Sequence, residues 1–202
     1  TFENVKAAHT IQAVFEETGG STPRVTFSDV DENGWAAEYI YFLAGREIVG
    51  GVGGGLFAPQ RSITRAEFVK ILAGVAGAGE AQTDSTRFTD VAPGSWYAPY
   101  VAWAVEHGVT TGTSAATFAP DDVVTREQVA VFLYRFAQYL ACETDDLGDL
   151  SAYSDAEAIS SFAVDAMAWA NGAGLMTGTT RTTLSPAASL SRAELATLLS
   201  RF

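Results

Sequence analysis

The apolar residues of this chain recur at helical spacing in pairs of short segments that glycine-rich stretches separate. In one segment Trp96, Tyr100, Trp103 and Ala104 fall at spacings of three and four residues, which places them on one face of a helix that Gly108 ends. The same period recurs in the segments with Val129, Phe132, Leu133 and Phe136, and with Leu195, Leu198, Leu199 and Phe202. The pattern predicts pairs of amphipathic helices joined by loops.

These helix pairs belong to three copies of one unit of about fifty residues, the kind of period typical of repeat proteins. We place the copies at residues 27–76, 88–137 and 153–202. The matched positions, copy by copy, are Phe27, Phe88 and Tyr153; Asp29, Asp90 and Asp155; Trp35, Trp96 and Phe162; Phe42, Trp103 and Trp169; Gly51, Gly112 and Gly178; and Arg65, Arg126 and Arg192. Because one helix pair of this size cannot bury its apolar faces alone, we expect the copies to pack against one another.

Four segments lie outside this register or interrupt it. Residues 1–20 show helical spacing and predict an extra N-terminal helix or the end of a preceding segment. The polar and small residues at 76–87 and 143–152 predict solvent-exposed linkers. The glycine run at 50–55 is followed by no Lys-Ser/Thr pair, so it predicts a flexible turn and not a phosphate-binding loop.

Each second helix begins with Ser/Thr-Arg-x-Glu/Gln, a sequence in which two kinds of residue need separate explanations. The first and fourth residues form a capping box, which satisfies main-chain donors at the helix start. The arginine between them occupies the first helical position, where the helix dipole disfavours a cation. It either lies along apolar surface or pairs with the repeated aspartate, or it receives an anion beside free main-chain N–H groups. Its presence in all three copies, at Arg65, Arg126 and Arg192, favours the anion receptor.

The aromatic residues of the first helices also allow two interpretations. We assign Phe42, Trp103 and Trp169 to the core, because an aromatic stripe at helical spacing is usually buried. Trp35 and Trp96 follow turn signals at the helix start, so they either join the core or stand at the rim of a groove and stack on a sugar ring.

Composition and charge limit the classes of ligand and partner that this chain can bind. With 48% hydrophobic residues the chain can fill a core. Its formal charge of −12 repels nucleic acid and anionic membrane surfaces, so any anionic ligand needs a local cationic site. The chain has no apolar run long enough for membrane insertion.

The sequence offers little for metal, cofactor or catalytic chemistry. The single Cys142 and two histidines have no zinc-site spacing, and the acidic residues of 145–149 lack the calcium-loop pattern. We find no nucleophile, base or carboxylate pair outside the aspartates that repeat with the fold, so we expect no enzyme and no cofactor.

The repeated Phe-Ser/Thr-Asp-Val, early Trp, mid-unit Gly, Phe-x-Pro and Thr-Arg-Ala-Glu resemble the S-layer homology family over about three quarters of the chain. The resemblance implies a mainly α fold in which three repeats pack as a pseudo-threefold spindle around a central helical bundle, a monomeric pseudo-trimer. It also implies an extracellular module at the bacterial cell wall that binds an acidic, pyruvylated secondary cell-wall polysaccharide in grooves between repeats. A protein–protein or S-layer self-assembly module remains the alternative.

The resemblance also implies which residues contact the ligand. They are Arg65, Arg126, Arg192, Trp35, Trp96, Asp29, Asp90, Gly51 and Gly112. A pyruvyl ketal presents a carboxylate, which suits an arginine in an otherwise acidic protein. The third copy departs from the family pattern at Ala156, Phe162 and Leu184, so we expect a weaker groove there.

Overall fold

The computed structural model of this chain describes residues 25–78 and 86–202. In these two ranges the regular elements are one short 3-10 helix and α-helices α1 (Ala37–Ala44), α2 (Arg65–Val75), α3 (Ala98–Glu106), α4 (Arg126–Tyr139), α5 (Val164–Gly172) and α6 (Arg192–Leu199). Each repeat contributes two of these α-helices, which confirms the mainly α class with three helix-loop-helix repeats. The helix predicted over residues 1–20 and most of the first linker lie outside the described residues.

Each second helix begins with the capping box that its sequence predicts. At the start of α2, the Glu67 N–H donates to the Thr64 hydroxyl at 3.3 Å, and the Thr64 N–H donates to the Glu67 carboxylate at 3.0 Å. The equivalent pairs are Thr125 with Gln128 and Ser191 with Glu194. These contacts satisfy two of the main-chain donors that a helix start leaves without an intrahelical acceptor.

The first helices have no side-chain cap and follow a turn. The prediction that Trp96 lies on the face of such a helix is wrong, because α3 begins two residues later, at Ala98. Pro99 in the first turn of α3 favours a helix start there, since its missing N–H removes no intrahelical hydrogen bond. Gly108, with φ of 71°, follows the helix end as predicted.

The aspartate near the start of each repeat holds the loop that precedes the second helix. The Asp29 carboxylate accepts hydrogen bonds from the N–H groups of Phe57 at 2.8 Å and Ala58 at 2.7 Å. Asp90 binds Phe118 and Ala119 in the same way, and Asp155 binds Leu184 and Ser185. Ala58 has φ of 58°, a left-handed conformation that is uncommon without glycine, so the two hydrogen bonds stabilise a strained turn.

The mid-unit glycine lies against the aromatic residue that opens the repeat. A Cβ on Gly51 would lie 2.7 Å from the carbonyl oxygen of Leu56 and 2.9 Å from the ring of Phe27. Phe88 and Tyr153 enclose Gly112 and Gly178 in the same way. The aromatic residue and the glycine recur together because they are two sides of one contact.

The three repeats pack in a closed cycle. The second helix of each repeat packs on the first helix of the next: α2 on α3, α4 on α5, and α6 on α1. Since α6 returns to the first repeat, each repeat contacts both others. The second helices also meet one another, for example where Phe68 and Phe132 lie edge to face with ring centroids 5.4 Å apart. The spindle shape with a central helical bundle stays a prediction.

Main-chain hydrogen bonds join each second helix to the next repeat. The N–H of Arg65 donates to the carbonyl of Asp122 at 2.9 Å, and the N–H of Ala66 donates to that of Pro120 at 3.0 Å. The equivalent bonds run from Arg126 to Ala188, Glu127 to Pro186, Arg192 to Arg61 and Ala193 to Pro59. The capping box does not satisfy the N–H groups of the first two helical residues. Carbonyl groups of the next repeat accept from them instead.

Two of the three predicted core aromatics are buried. Trp103 and Trp169 are 4% and 5% exposed, as predicted, whereas Phe42 is 40% exposed and its assignment to the core is wrong. Phe42 lies on the side of α1 opposite the buried stripe that includes Ile40 and Leu43. The guanidinium of Arg46 covers its ring at 3.7 Å from the centroid.

The linker at 143–152 is largely solvent-exposed, as predicted, but it also docks on α5. Its Gly148 N–H donates to the Ala168 carbonyl of α5 at 2.9 Å, and Thr144 is buried. A Cβ on Gly148 would lie 2.6 Å from the nitrogen of Gly172. Two glycines therefore let this linker dock directly on the helix.

We expect Gly51→Ala to destabilise the fold by about 1–3 kcal/mol, because the added methyl group meets the Leu56 carbonyl and the Phe27 ring. The neighbouring Gly50→Ala is a matched control, since a Cβ there meets nothing within 4 Å, and should change stability by less than about 0.5 kcal/mol. Urea unfolding measures both. Equal effects of the two substitutions would contradict the contact.

We expect acid to weaken the fold through the aspartates that hold the loops. The hydrogen bond from the Phe57 N–H is the main cause that lowers the pKa of Asp29, and that from Leu184 does the same for Asp155. A carboxylate with a lowered folded-state pKa stabilises fully above its ordinary pKa of about 3.8 and loses this effect as pH falls through the folded value.

The free energy of unfolding, measured from pH 6 down to about pH 2.5, should therefore fall mainly below about pH 4. Asp29→Asn should be less stable at neutral pH and lose less on acidification. An acid profile of the variant that runs parallel to that of the parent chain would rule out the contribution of Asp29.

Candidate functional site

Three grooves lie at corresponding positions between the repeats. Each is lined by the loop and second helix of one repeat, by the arginine of the repeat before it in the cycle, and by the early aromatic residue of the repeat after it. Groove 1 combines residues 48–52 and α2 with Arg192 and Trp96; groove 2 combines residues 109–113 and α4 with Arg65 and Phe162; groove 3 combines residues 175–179 and α6 with Arg126 and Trp35. Every groove therefore needs all three repeats.

The grooves are of a size that suits small ligand groups. Their volumes are about 500, 370 and 270 Å³ for grooves 1, 2 and 3. Small-molecule sites usually enclose about 300–1,000 Å³, so grooves 1 and 2 fall in this range and groove 3 just below it.

The three arginines are buried and bind the loop of the next repeat. Arg65, Arg126 and Arg192 are only 4%, 8% and 7% exposed. The Nε group of each donates to a loop carbonyl: Arg65 to Phe118 at 2.7 Å, Arg126 to Leu184 at 2.8 Å, and Arg192 to Phe57 at 2.8 Å. The predicted packing of the arginine along apolar surface is also present, since the guanidinium of Arg192 lies 4.4 Å from the Phe57 ring centroid. Each arginine thus helps to close the cycle.

One part of the predicted anion receptor is wrong. We expected free main-chain N–H groups beside each arginine, but those of the first two helical residues donate to the next repeat and that of the fourth capping-box residue donates to the N-cap hydroxyl. The sequence of one repeat could not reveal this, because the acceptors come from another. Any anion in the grooves must therefore be held by side chains.

The guanidinium groups of the three arginines are largely removed from solvent. Burial is the main cause that lowers the pKa of all three, that of Arg65 to about 10. A pKa of about 10 for Arg65 is well above neutrality, and arginine side chains stay protonated in proteins, so each groove keeps a guanidinium cation at physiological pH. A partly desolvated cation attracts an anion more strongly than one in bulk water.

The early aromatic residues stand at the rims of the grooves. Trp35 and Trp96 are 61% and 54% exposed, which resolves their two predicted interpretations in favour of the rim. Phe162, 62% exposed, takes the same place in groove 2, although it was not among the predicted site residues. Exposed aromatic faces of this kind can stack on a sugar ring.

The loop glycines line the grooves and the aspartates do not. Gly51 and Gly112 belong to the walls of grooves 1 and 2, where their lack of a side chain keeps the wall open. The carboxylates of Asp29 and Asp90 instead hold main-chain N–H groups inside their own repeats. This placement explains why the aspartate recurs and leaves it outside the groups that face a ligand.

Four further cations line the grooves and were missed from the sequence. Arg61 and Lys70 belong to groove 1, Arg135 to groove 2 and Arg201 to groove 3. Arg135 and Arg201 each follow the arginine of their helix start by nine residues, so the repeat register carried a signal for these two, although Arg201 lies just beyond the end of α6. Arg61 and Lys70 have no cationic counterparts in the other repeats, and only the folded cycle identifies them.

The arrangement favours binding of an anionic, ring-shaped ligand. Guanidinium groups suit carboxylates and phosphates, loop hydroxyls and carbonyls suit sugar hydroxyls, and the aromatic rim suits a sugar face. Within residues 25–78 and 86–202 no cluster of histidine, cysteine and acidic residues is arranged to hold a metal ion. None of the helices described in the same ranges has the length and apolar character to cross a membrane.

Comparisons with known proteins agree with this three-repeat organisation. The S-layer homology domain matches residues 26–69, 87–130 and 152–196. Relatives include an endoglucanase of a Bacillus species, 33% identical over 86% of this chain, and the surface-layer 125 kDa protein of Lysinibacillus sphaericus, 32% identical over 84%. A cellulosome-anchoring protein of Acetivibrio thermocellus is 32% identical over 61% of the chain.

These relatives are much longer than the region they share with this chain. The chain covers 18% of the endoglucanase, 14% of the surface-layer protein and 27% of the cellulosome-anchoring protein. The similarity is therefore to one region of longer proteins. The three matched segments, which cover most of the described residues, establish that this chain belongs to the S-layer homology domain family.

Proposed function

We propose that this chain is a non-covalent anchoring module that holds a larger protein on the outer face of a bacterial cell wall. Its ligand is an acidic secondary cell-wall polysaccharide that carries pyruvyl ketal groups, bound in the grooves between repeats. The module binds and does not catalyse, and a single chain supplies complete grooves, so it acts as a monomeric pseudo-trimer.

The observation that carries this proposal is the concentration of cations and exposed aromatics in grooves of a protein whose net charge is −12. Such cations are costly to bury, and a ligand that brings a carboxylate to them recovers part of that cost. A neutral ligand would not need them. The ketal carboxylate meets the guanidinium, and the sugar ring that carries it lies on the rim aromatic.

The relatives support the same location. One is named as a surface-layer protein, another as a cellulosome-anchoring protein, and a third as an endoglucanase of which this chain covers only 18%. A region shared by proteins with such different names is more consistent with a common attachment role than with a common reaction.

Binding should depend on the acidic groups of the polymer. Calorimetry of this chain with purified wall polysaccharide should give an affinity that falls at least roughly tenfold when the ketals are removed by mild acid, because a guanidinium group that holds a ketal then loses its charged acceptor. Equal affinity for the two polymers would contradict a role of the ketal carboxylate in binding. Absence of binding to either would favour the protein–protein or self-assembly alternative.

The rim aromatics should be needed for binding and dispensable for folding. The combined variant Trp35→Ala, Trp96→Ala and Phe162→Ala removes side chains that are more than half exposed, so it should stay folded and lose about 1–2 kcal/mol of binding free energy per occupied groove. Phe42→Ala is the matched control, since Phe42 is 40% exposed and lines none of the three grooves. Full binding by the combined variant would remove the stacking role.

A further inference from the structure

The hydrogen bonds of Arg65 differ from those of the other two arginines at one terminal nitrogen, Nη2. In grooves 1 and 3, a terminal nitrogen donates to the loop carbonyl, from Arg192 to Gly50 at 2.6 Å and from Arg126 to Thr177 at 2.8 Å. The equivalent acceptor in groove 2 is the Thr111 carbonyl, which accepts from Arg87 at 2.8 Å. Within the described part of the chain, Arg65 therefore donates no hydrogen bond from its Nη2 atom, although it is only 4% exposed.

Arg87 explains the difference because the other repeats have no cation at its position. It immediately precedes Phe88, the opening aromatic of repeat 2, whereas Thr26 and Ala152 precede those of repeats 1 and 3. In repeat 2, Arg87 occupies the loop carbonyl that the other two grooves offer to their inner arginine. It is a positioning residue that acts through Thr111.

The grooves also differ in the charge of the fourth capping-box residue that lines them. Glu67 lines groove 1 and Glu194 lines groove 3, and each is the leading favourable charge on the arginine of its groove. Groove 2 has the neutral Gln128 at this position, 3.3 Å from Nη1 of Arg65. The acidic partners of Arg65 are instead Asp122 and Asp90, which do not line the groove.

Groove 2 also holds a second guanidinium. Arg135 lines it and donates from Nη1 to the Thr111 hydroxyl at 3.2 Å. No Asp or Glu is among the described residues that line this groove. Groove 1 has more cations in number, but its Arg61 uses both terminal nitrogens on Glu67. Among the described residues, groove 2 alone of the three combines an arginine Nη2 atom that donates no hydrogen bond with a wall that carries no carboxylate.

We propose that the three grooves are unequal and that groove 2 is the site that selects the anionic group of the polymer, with Arg65 and Arg135 as its receptors. Gln128 and Arg87 set this selectivity, and grooves 1 and 3 take the less charged sugar units. This inference rests on the proposed function for the identity of the polymer, but the anion site itself can be tested without it. The chemistry recognised is an oxyanion, either the carboxylate of a ketal or a phosphate group.

The direct test follows the arginine Nε–Hε signals of the whole chain by NMR while sodium pyruvate or inorganic phosphate is added at constant ionic strength, with chloride as the reference. The Arg65 and Arg135 signals should shift and saturate, and those of Arg126 and Arg192 should not. A larger response to pyruvate identifies the carboxylate as the preferred group, and a larger response to phosphate identifies the phosphate. Equal shifts of Arg65, Arg126 and Arg192, or none at Arg65, would overturn the proposal.

Variants at the capping box change the charge of one groove and keep its helix start. Gln128→Glu gives groove 2 the carboxylate of its neighbours, and should weaken anion binding at Arg65 roughly tenfold. Glu194→Gln is the reverse change in groove 3 and should not reduce it. Glutamine and glutamate both occupy the fourth capping-box position in this chain, so neither substitution should unfold the protein.

Arg87→Ala supplies a second variant outside the groove. It frees the Thr111 carbonyl for Arg65, so anion binding should weaken although no residue that lines groove 2 has changed. Unchanged binding by both Gln128→Glu and Arg87→Ala would overturn the assignment of the two residues.

Failure of this inference and failure of the proposed function give different results. If the polymer binds in a ketal-dependent way and Gln128→Glu leaves that binding unchanged, groove 2 is not special and the anchoring role stands. If pyruvate or phosphate shifts Arg65 while the polymer does not bind, the anion site stands and the anchoring role does not.

Discussion

The start of each second helix must find hydrogen-bond acceptors outside its own repeat, and this need organises the whole molecule. A capping box satisfies part of it locally, and the loop carbonyls of the next repeat satisfy the rest. Each such hydrogen bond contributes only about 0.5–1.5 kcal/mol, but a donor buried without an acceptor would cost more than that. The loop that supplies the acceptors is itself held in a left-handed turn by the aspartate of its repeat. Local capping, loop geometry and the packing between repeats therefore depend on one another.

The arginine at the same helix start joins this structural network to the groove. Its Nε atom binds the next repeat, while its terminal nitrogens reach the groove, where they donate to a loop carbonyl or to an amide oxygen. The planar guanidinium can do both at once because its five donors diverge in a fixed geometry. Lysine has a single ammonium group and could not bind the loop through Nε while presenting a separate edge to a ligand. The position is therefore unfavourable for the isolated helix and necessary for the assembled cycle.

Much of this architecture could be predicted from the sequence, and the exceptions have a common cause. The repeats, the capping boxes and the helix periods depend on residues close in the chain. The turn signals before Trp35 and Trp96 allowed both the core and the rim, and the folded structure decides for the rim. What could not be predicted depends on residues of other repeats: the acceptors for the main-chain donors of Arg65 and Ala66, the joining of Trp96 to Arg192 in one groove, and the docking of Gly148 on α5. Phe42 was misassigned for a related reason, since the buried stripe of an eight-residue helix is set by what packs on it.

The closed cycle also constrains the number of repeats in this chain. In an open solenoid each repeat contacts only its neighbours, so copies can be added or lost at either end with little change to the rest. Here the last second helix returns to the first repeat, and Arg192 reaches Gly50 across 142 positions of the chain. A fourth copy would have to separate these partners, and a missing copy would leave two loop edges open. Duplication of one unit accounts for the similarity of the three repeats, and the contacts between the third repeat and the first oppose a change in their number.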